Sequence, residues 1–159
     1  MNIEFKRLTD IKKLDIIKLM NNELVRRQMP LLAGEFTEVE CDNFIMTKEK
    51  HWNKFGFGLW AFSVNDQFIG WGGLQIENEE ADLALVLHPN YWGIGKRIYK
   101  KIIHKAFNEL GIESVIVLFP PTRTRIKGLL RIGFKEDGKL EIDNKLFIRY
   151  KLNKTANNN

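Results

Sequence analysis

The chain has 159 residues, the size of one domain, and 44% hydrophobic with 28% charged residues suits a globular protein whose core needs no disulfide or metal to hold it. Cys41 is the single cysteine, which excludes an intrachain disulfide, and with His51, His88 and His104 it offers no zinc-type spacing, so no metal is expected. The formal net charge of +5 favours an anionic partner, whether nucleic acid, membrane surface or a phosphorylated small molecule, and does not choose among them.

No apolar run approaches the roughly 18 residues of a spanning helix. The start, "MNIEFKRLTD", is acidic and polar where a signal peptide needs an apolar segment, so the expectation is a cytoplasmic protein that does not engage a membrane.

Taken in chain order, residues 2 to 8 alternate as a strand through Ile3 and Phe5. "TDIKKLDIIKLMNNELV" then predicts a helix, with Ile11, Leu14, Ile17, Met20 and Leu24 as its apolar stripe and Thr9 or Asp10 as its N-cap. "TEVE" at 37 to 40 is a capping-box pattern, Thr37 capping and Glu40 reaching back, for a helix to about Lys54. Strands follow at 58 to 64 and 67 to 76, joined by the hairpin dipeptide "ND", and a third at 82 to 87. Three strands without intervening helices predict an antiparallel meander. Gly70, Gly72 and Gly73 inside a strand predict a bulge or a close backbone neighbour.

From about 94 to 110 a helix places Ile98, Ile102, Ile103, Ala106, Phe107 and Leu110 on one face, with Lys96, Lys100, Lys101 and Lys105 elsewhere. Residues 111 to 119 read as a buried strand ended by Pro120 and Pro121. "TRTRIKGLLRIGF" reads as a short helix with Ile126, Leu129 and Leu130 inward and Gly133 as C-cap, and 145 to 152 as the last strand. One domain is expected over 1–152, with 153–159 a disordered polar tail.

The start of the 94–110 helix poses the functional question. Its first residues include Lys96 and Arg97, at the end where the macrodipole disfavours cations. A ligand with more than one negative charge resolves this: Gly93 and Gly95 let the chain turn with no Cβ in the way, backbone N–H groups converge on the anion, and the basic side chains supplement them. A Walker loop is excluded by the absence of Gly-Lys-Ser/Thr at the required spacing. A Rossmann fingerprint is excluded by Ile98 in place of its third glycine and by Glu113 at the start, not the end, of a strand.

The segments "GFGLWA", "FIGWGGL" and "PNYWGIG", in this order, resemble the GNAT superfamily of acyl-CoA-dependent N-acetyltransferases, particularly its RimJ/RimL-like branch. The resemblance extends over about residues 3 to 152. It implies an α+β fold: a single GNAT-like domain with a mixed, mostly antiparallel sheet of six to seven strands and helices on both faces. It also implies acetyl-CoA as co-substrate and an amine-bearing acceptor: a protein N-terminus, an aminoglycoside or another small amine.

By position, the resemblance carries the family's pyrophosphate turn onto the backbone of Gly93, Ile94, Gly95, Lys96, Arg97 and Ile98. It carries the strand that pairs with the pantetheine arm onto Leu85, Val86 and Leu87, and an arm-contacting Asn onto Thr122. An arginine at 97, where the family usually has a small residue, and a threonine at 122 depart from its pattern.

Amine acetylation needs a base, because an ammonium has no lone pair to attack with. The resemblance makes Asp82 the candidate, with Glu80 as the neighbour able to replace it; as plain residues both also read as solvated strand-end acids. A donor for the leaving thiolate is harder to assign, because Leu129 stands where many members have a Tyr; Tyr91 and Tyr150 are the alternatives, and water alone also suffices. Two further readings stay open: an acyl-CoA-binding protein without transferase activity, and a basic nucleic-acid-binding module, which lacks exposed aromatics among its lysines. Trp52, Trp60, Trp71 and Trp92 read as core or acceptor pocket, His51 and His88 as structural or titrating, and Arg123, Arg125 and Lys127 as solvated face or 3′-phosphate ligands. The assembly is expected to be monomer or homodimer.

Overall fold

In the computed structural model, which describes residues 1–154, the chain builds one seven-stranded sheet in the order β1-β2-β3-β4-β5-β7-β6. β1 (Ile3–Lys6) pairs antiparallel with β2 (Leu59–Val64). Between them lie a 3-10 turn at Leu8–Asp10 and the helices α1 (Lys13–Met20), α2 (Glu23–Arg26) and α3 (Glu38–Phe55).

The single helix expected over the segment from Thr9 to Val25 is broken in two. Thr9 and Asp10 fall in the 3-10 turn instead of capping, and Asn22 restarts the helix by accepting from the N–H groups of Leu24 and Val25 at 3.0 and 3.2 Å. The stripe turns with it: Ile16, Leu19, Met20 and Val25 are buried, while Leu14 and Leu24 are 58% and 42% exposed. Packing against α3 and the sheet selects that arc, and the restart at Asn22 swings Val25 inward in place of Leu24. Asn21 then fixes the following loop, its amide bonding both the N–H (2.8 Å) and the carbonyl (2.9 Å) of Phe36.

α3 begins with Thr37 as its cap, Thr37 Oγ accepting from the Glu40 N–H at 3.4 Å, without the expected return bond to Glu40, and ends at Gly56 in the left-handed region at φ 77°. β2, β3 (Gln67–Glu77) and β4 (Glu80–Leu87) form the expected meander. Both connections are two-residue turns with positive φ at each residue, Asn65–Asp66 and Asn78–Glu79. The glycines of β3 are there for close approach: a Cβ on Gly70 would lie 2.2 Å from the Val86 oxygen, and one on Gly72 2.6 Å from that of Ala84. The β2–β3 register slips beside them, between Phe62 and Ser63.

A 3-10 turn (Pro89–Ile94) leads into α4 (Gly95–Asn108), whose buried face of Ile98, Tyr99, Ile102, Ile103, Ala106 and Phe107 repeats every three to four residues. β5 (Ser114–Phe119), α5 (Lys127–Ile132), β6 (Lys135–Ile142) and β7 (Lys145–Asn153) complete the chain. β6 is an addition to the expected elements. In α5 only Leu129 is buried, and Leu130 is 44% exposed, because a helix of 6 residues presents little more than one turn to the sheet. β7 passes the expected boundary at 152: Asn153 is within the strand and the Lys154 N–H bonds Glu113 O at 2.9 Å. Of the expected tail, 155–159 lie outside the described residues.

The sheet carries a core on each face. α4 and α5 cover one, around Leu74, Leu83, Ile98, Ile102, Phe107 and Val117. α1, α2 and α3 cover the other, around Ile16, Leu19, Val25, Cys41, Ala61 and Trp71. Each fully buried side chain of this size contributes about 1.5–3 kcal/mol.

Candidate active site

β4 and β5 are the one parallel pair among the described strands, and they pair at two positions only, Ala81 with Val115 and Asp82 with Ile116. Past Asp82 the strands separate. β4 continues to Leu87 bonded to β3 on one side, and its edge toward β5 has no strand partner. α4 packs across both separated strands. The fold therefore holds a wedge in the middle of its sheet, one wall of which is a free strand edge.

The wedge leads to the start of α4. Gly95 lies over the end of β4, where an added Cβ would touch Leu85 Cδ2 and Leu87 Cδ1 at 3.8 Å. Trp92 Nε1 donates to Leu87 O at 2.8 Å, and the Tyr91 N–H to His88 O at 2.8 Å, which fixes the turn on the strand. No side chain caps α4; the Gly95 N–H turns back to Trp92 O, and the N–H groups of Lys96 and Arg97 have no carbonyl one turn earlier in the helix to bond. Neither Gly93 nor Gly95 has positive φ. What Gly93 provides is open space: a Cβ built on it meets nothing within 4 Å, in the turn that precedes these donors. The arrangement suits an anion.

The two basic side chains do not both face that space. Arg97 reaches back to donate to Met1 O at 3.1 Å, and the Lys96 stem runs beside Gly128 of α5, 3.7 Å from where a Cβ there would sit. Thr122 is exposed in the turn after β5. Arg123 in the same turn stacks its guanidinium over the Phe119 ring at 4.0 Å, while Arg125 and Lys127 are exposed.

Leu83, Leu85 and Leu87 face α4, and Glu80, Asp82, Ala84 and Val86 face α3, as the two-residue period of a strand requires. Asp82 stands where the wedge opens. Burial first, and the Glu77 carboxylate second, push its acid up to about 7. Across the sheet Gln75 is its register partner, and Lys48 of α3 donates to the Gln75 side chain. Burial lowers the Lys48 pKa, against the opposing pull of Glu77 and Asp82. Two open hollows lie along α3 here, of about 330 Å³ beside Phe36, Glu40, Asn43 and Phe44 and about 290 Å³ beside His51, Gln75 and Glu77.

Glu80 is differently placed. Arg149 binds both its oxygens and also Asp137, and this hydrogen bonding holds Glu80 below the usual carboxylate range.

The structural alternatives account for most other residues. His51 is fully used, its Nε2 accepting from the Ile76 N–H at 2.9 Å and its Nδ1 facing Phe57 O at 2.8 Å. Trp52 and Trp92 donate to backbone carbonyls, and Trp71 is buried against Met20. Cys41 is buried under α1, with its thiol pushed up by burial. Among the described residues no cluster of side chains suits a metal ion, and no helix is long and apolar enough to cross a membrane.

Two side chains were not foreseen. Lys48 reads in sequence as one of several solvated lysines of an amphipathic helix. Tyr99 is buried at 5% exposure in α4, in the core that also holds Leu129, with the Arg123 guanidinium at its hydroxyl. Its spacing of three from Ile102 was the available signal.

The acetyltransferase (GNAT) domain family matches residues 3–135. No curated protein matches the chain in sequence. Solved structures share its fold. Spermidine N-acetyltransferase from Vibrio cholerae, in complex with CoA and spermine, superposes with a TM-score of 0.76 at 15% identity over 99% of this chain and 98% of that one. The aminoglycoside acetyltransferase AAC(6')-Ib, in complex with coenzyme A, does so at 0.79 and 12% identity over 98% and 96%. An acetyltransferase from Agrobacterium tumefaciens does so at 0.78 and 16% over 96% and 91%.

Proposed function

Because the chain belongs to the GNAT acetyltransferase family, we propose that it transfers the acetyl group of acetyl-CoA to a primary amine by direct attack. The observation that carries this reading is the wedge: β4 leaves β5 after Asp82, and its free edge leads straight to the uncapped start of α4.

In this reading the N–H groups along Gly93, Ile94, Gly95, Lys96, Arg97 and Ile98 hold the diphosphate of the co-substrate. The backbone of Leu85, Val86 and Leu87 pairs with its pantetheine arm as an added strand would, and Thr122 flanks the arm from the β5 side. That course brings the thioester to Asp82. When bound, acetyl-CoA supplies an activated acyl carbon with a thiolate leaving group.

Asp82 takes the proton that the amine must shed, directly or through one water. An acid near 7 suits that role, since a base works best with a pKa close to the working pH. The acceptor approaches from the α3 side, where Asp82 and the two hollows lie, and Glu40 and Glu77 there suit a cationic amine. The named acceptors of two structural neighbours are amines, which supports the same substrate class. A protein N-terminus, an aminoglycoside and a small amine all fit it. The order of "GFGLWA", "FIGWGGL" and "PNYWGIG" supports the RimJ/RimL-like branch, and a cytoplasmic monomer or homodimer fits this chemistry.

The test is thermal melting with acetyl-CoA, followed by thiol release over a panel of polyamine, aminoglycoside and peptide amines. Saturation at 100 times Kd stabilises by about 2.7 kcal/mol, a melting shift of several degrees. A shift without turnover on any amine makes the chain an acyl-CoA-binding protein. No shift, with a salt-dependent gel shift on nucleic acid, makes it the basic binding module instead.

A further inference from the structure

The two hollows along α3 share a wall. Thr47 and Lys48 line both, and Lys48 stands between them as a strut: its stem leaves α3, its Nζ lies 5.5 Å from the centroid of the Phe44 ring, and it donates to the Gln75 side chain on β3. Gln75 is the register partner of Asp82, and residues directly opposite on antiparallel strands point to one face with their Cβ atoms about 5 Å apart. The Lys48 ammonium therefore stands one side chain away from the proposed base, on the side from which the acceptor comes.

The hollows it divides differ in character. The one of about 330 Å³ offers the Phe36 and Phe44 rings. Its acid, Glu40, lies about two turns toward the start of α3, roughly 12 Å from Lys48 along the helix. The one of about 290 Å³ sets Lys50 and Lys54 beside Lys48 against a single acid, Glu77.

Charge then limits what can enter. Among the described residues Lys48 bonds no carboxylate, and the acids whose charge reaches it are Glu77 and Asp82. They oppose the loss of its proton to burial, so it enters the site as a cation. Arg149, whose charge also reaches Asp82, is already held by Glu80 and Asp137. Glu77 and Asp82 together carry at most two negative charges, and Lys48 offsets one. One incoming ammonium is matched by the acid that takes its proton; a second, a few bonds away, meets Lys48 with no acid left to pair it.

We propose that Lys48 is a specificity-determining residue, which confines the acceptor to the hollow beside Phe36 and Phe44 and selects a lone primary amine on an apolar body over compounds whose amines are a few bonds apart. This role rests on the acetyl-transfer reading above and narrows the substrate class. A small monoamine or a peptide N-terminus followed by apolar residues fits; polyamines and aminoglycosides, with their close-set ammonium groups, do not. Discrimination comes from a repulsive charge built into the site, not from an added contact.

Butylamine and trimethylenediamine are equal in length and differ in a terminal methyl group against a second ammonium, so the ratio of their kcat/KM values reads the selection directly. The wild-type protein is expected to favour butylamine about tenfold or more. Lys48→Met keeps the stem and removes the charge, and should bring the ratio within about threefold, chiefly by gain on the diamine, while Lys48→Arg keeps the charge and should retain the preference. A merely structural role would lower both amines together and leave the ratio where it was. A wild-type protein that prefers the diamine, or a Lys48→Met ratio equal to the wild-type one, overturns the selection and leaves acetyl transfer standing. Failure of the wild-type protein to acetylate any amine removes the reading on which the role rests.

Discussion

Glu80 and Asp82 stand two residues apart on the same face of β4, yet Arg149 grips both oxygens of Glu80 and leaves Asp82 without an ion pair. The first is a carboxylate held ionised by its partner; the second is an acid whose proton affinity burial has raised. Glu80→Gln is therefore expected to keep kcat/KM within about twofold, and Asp82→Asn to lower it about 100-fold, the usual worth of a general base. Thiol release with one amine measures both. Equal losses in the two variants would return Glu80 to candidacy.

Asp82 also links pH to stability. Its folded pKa, about 7, lies above the unfolded value, so between about pH 4 and 7 the native state binds more protons. Stability is lost as pH rises through that window. Asp82→Asn is expected to melt near the wild-type temperature at pH 4 and several degrees higher at pH 8, where each kcal/mol is worth about 2–4 °C. The same group predicts an ascending limb near pH 7 in kcat/KM, and that limb should disappear in the variant.

How much of this was legible beforehand depends on where the information sits. The meander and the helix of the site announce themselves because their periods are strong: two against three and four, with "ND" marking the first turn. β6, "KEDGKLEI", carries five charged residues and lies at the sheet edge, its partner strand rather than burial holding it, so no apolar alternation betrays it. Asn22 breaks a helix by a side-chain bond that the apolar pattern runs straight through. Lys48 reaches the site through Gln75, the register partner of Asp82, a fact of strand pairing that no local stretch encodes.

Gly93 separates binding from folding. A side chain there has open space and an allowed backbone, so Gly93→Val should change stability by no more than about 0.5 kcal/mol. The same side chain stands in the turn that precedes the donors of α4. Melting without ligand should match the wild type, and the shift with acetyl-CoA should shrink to the equivalent of at least a tenfold weaker Kd. An unchanged shift would mean that the diphosphate lies elsewhere.

His51 joins α3 to the site from behind: one nitrogen receives the Ile76 N–H and the other faces Phe57 O. Phenylalanine preserves the ring's bulk and strands both backbone groups. His51→Phe should cost about 2–3 kcal/mol, the penalty for unpaired buried polar groups. Urea unfolding measures it; a loss under about 0.5 kcal/mol would show that water replaces the histidine at both positions.

Gly70 sets how closely β3 can approach β4. A Cβ there would lie 2.2 Å from the backbone oxygen of Val86 and 2.9 Å from the Cα of Leu87, and neither can move without the strand. Alanine must therefore push away the end of β4 that forms the wall of the wedge. Gly70→Ala is expected to destabilise by about 3 kcal/mol, at the upper end for overpacking, and to lower Tm by roughly 6–12 °C. Because the displaced residues are those assigned to the pantetheine arm, the folded fraction at low temperature should also bind acetyl-CoA more weakly. Calorimetry below the transition tests this separately from the melt. Wild-type affinity in a destabilised variant would place the arm away from this end of β4.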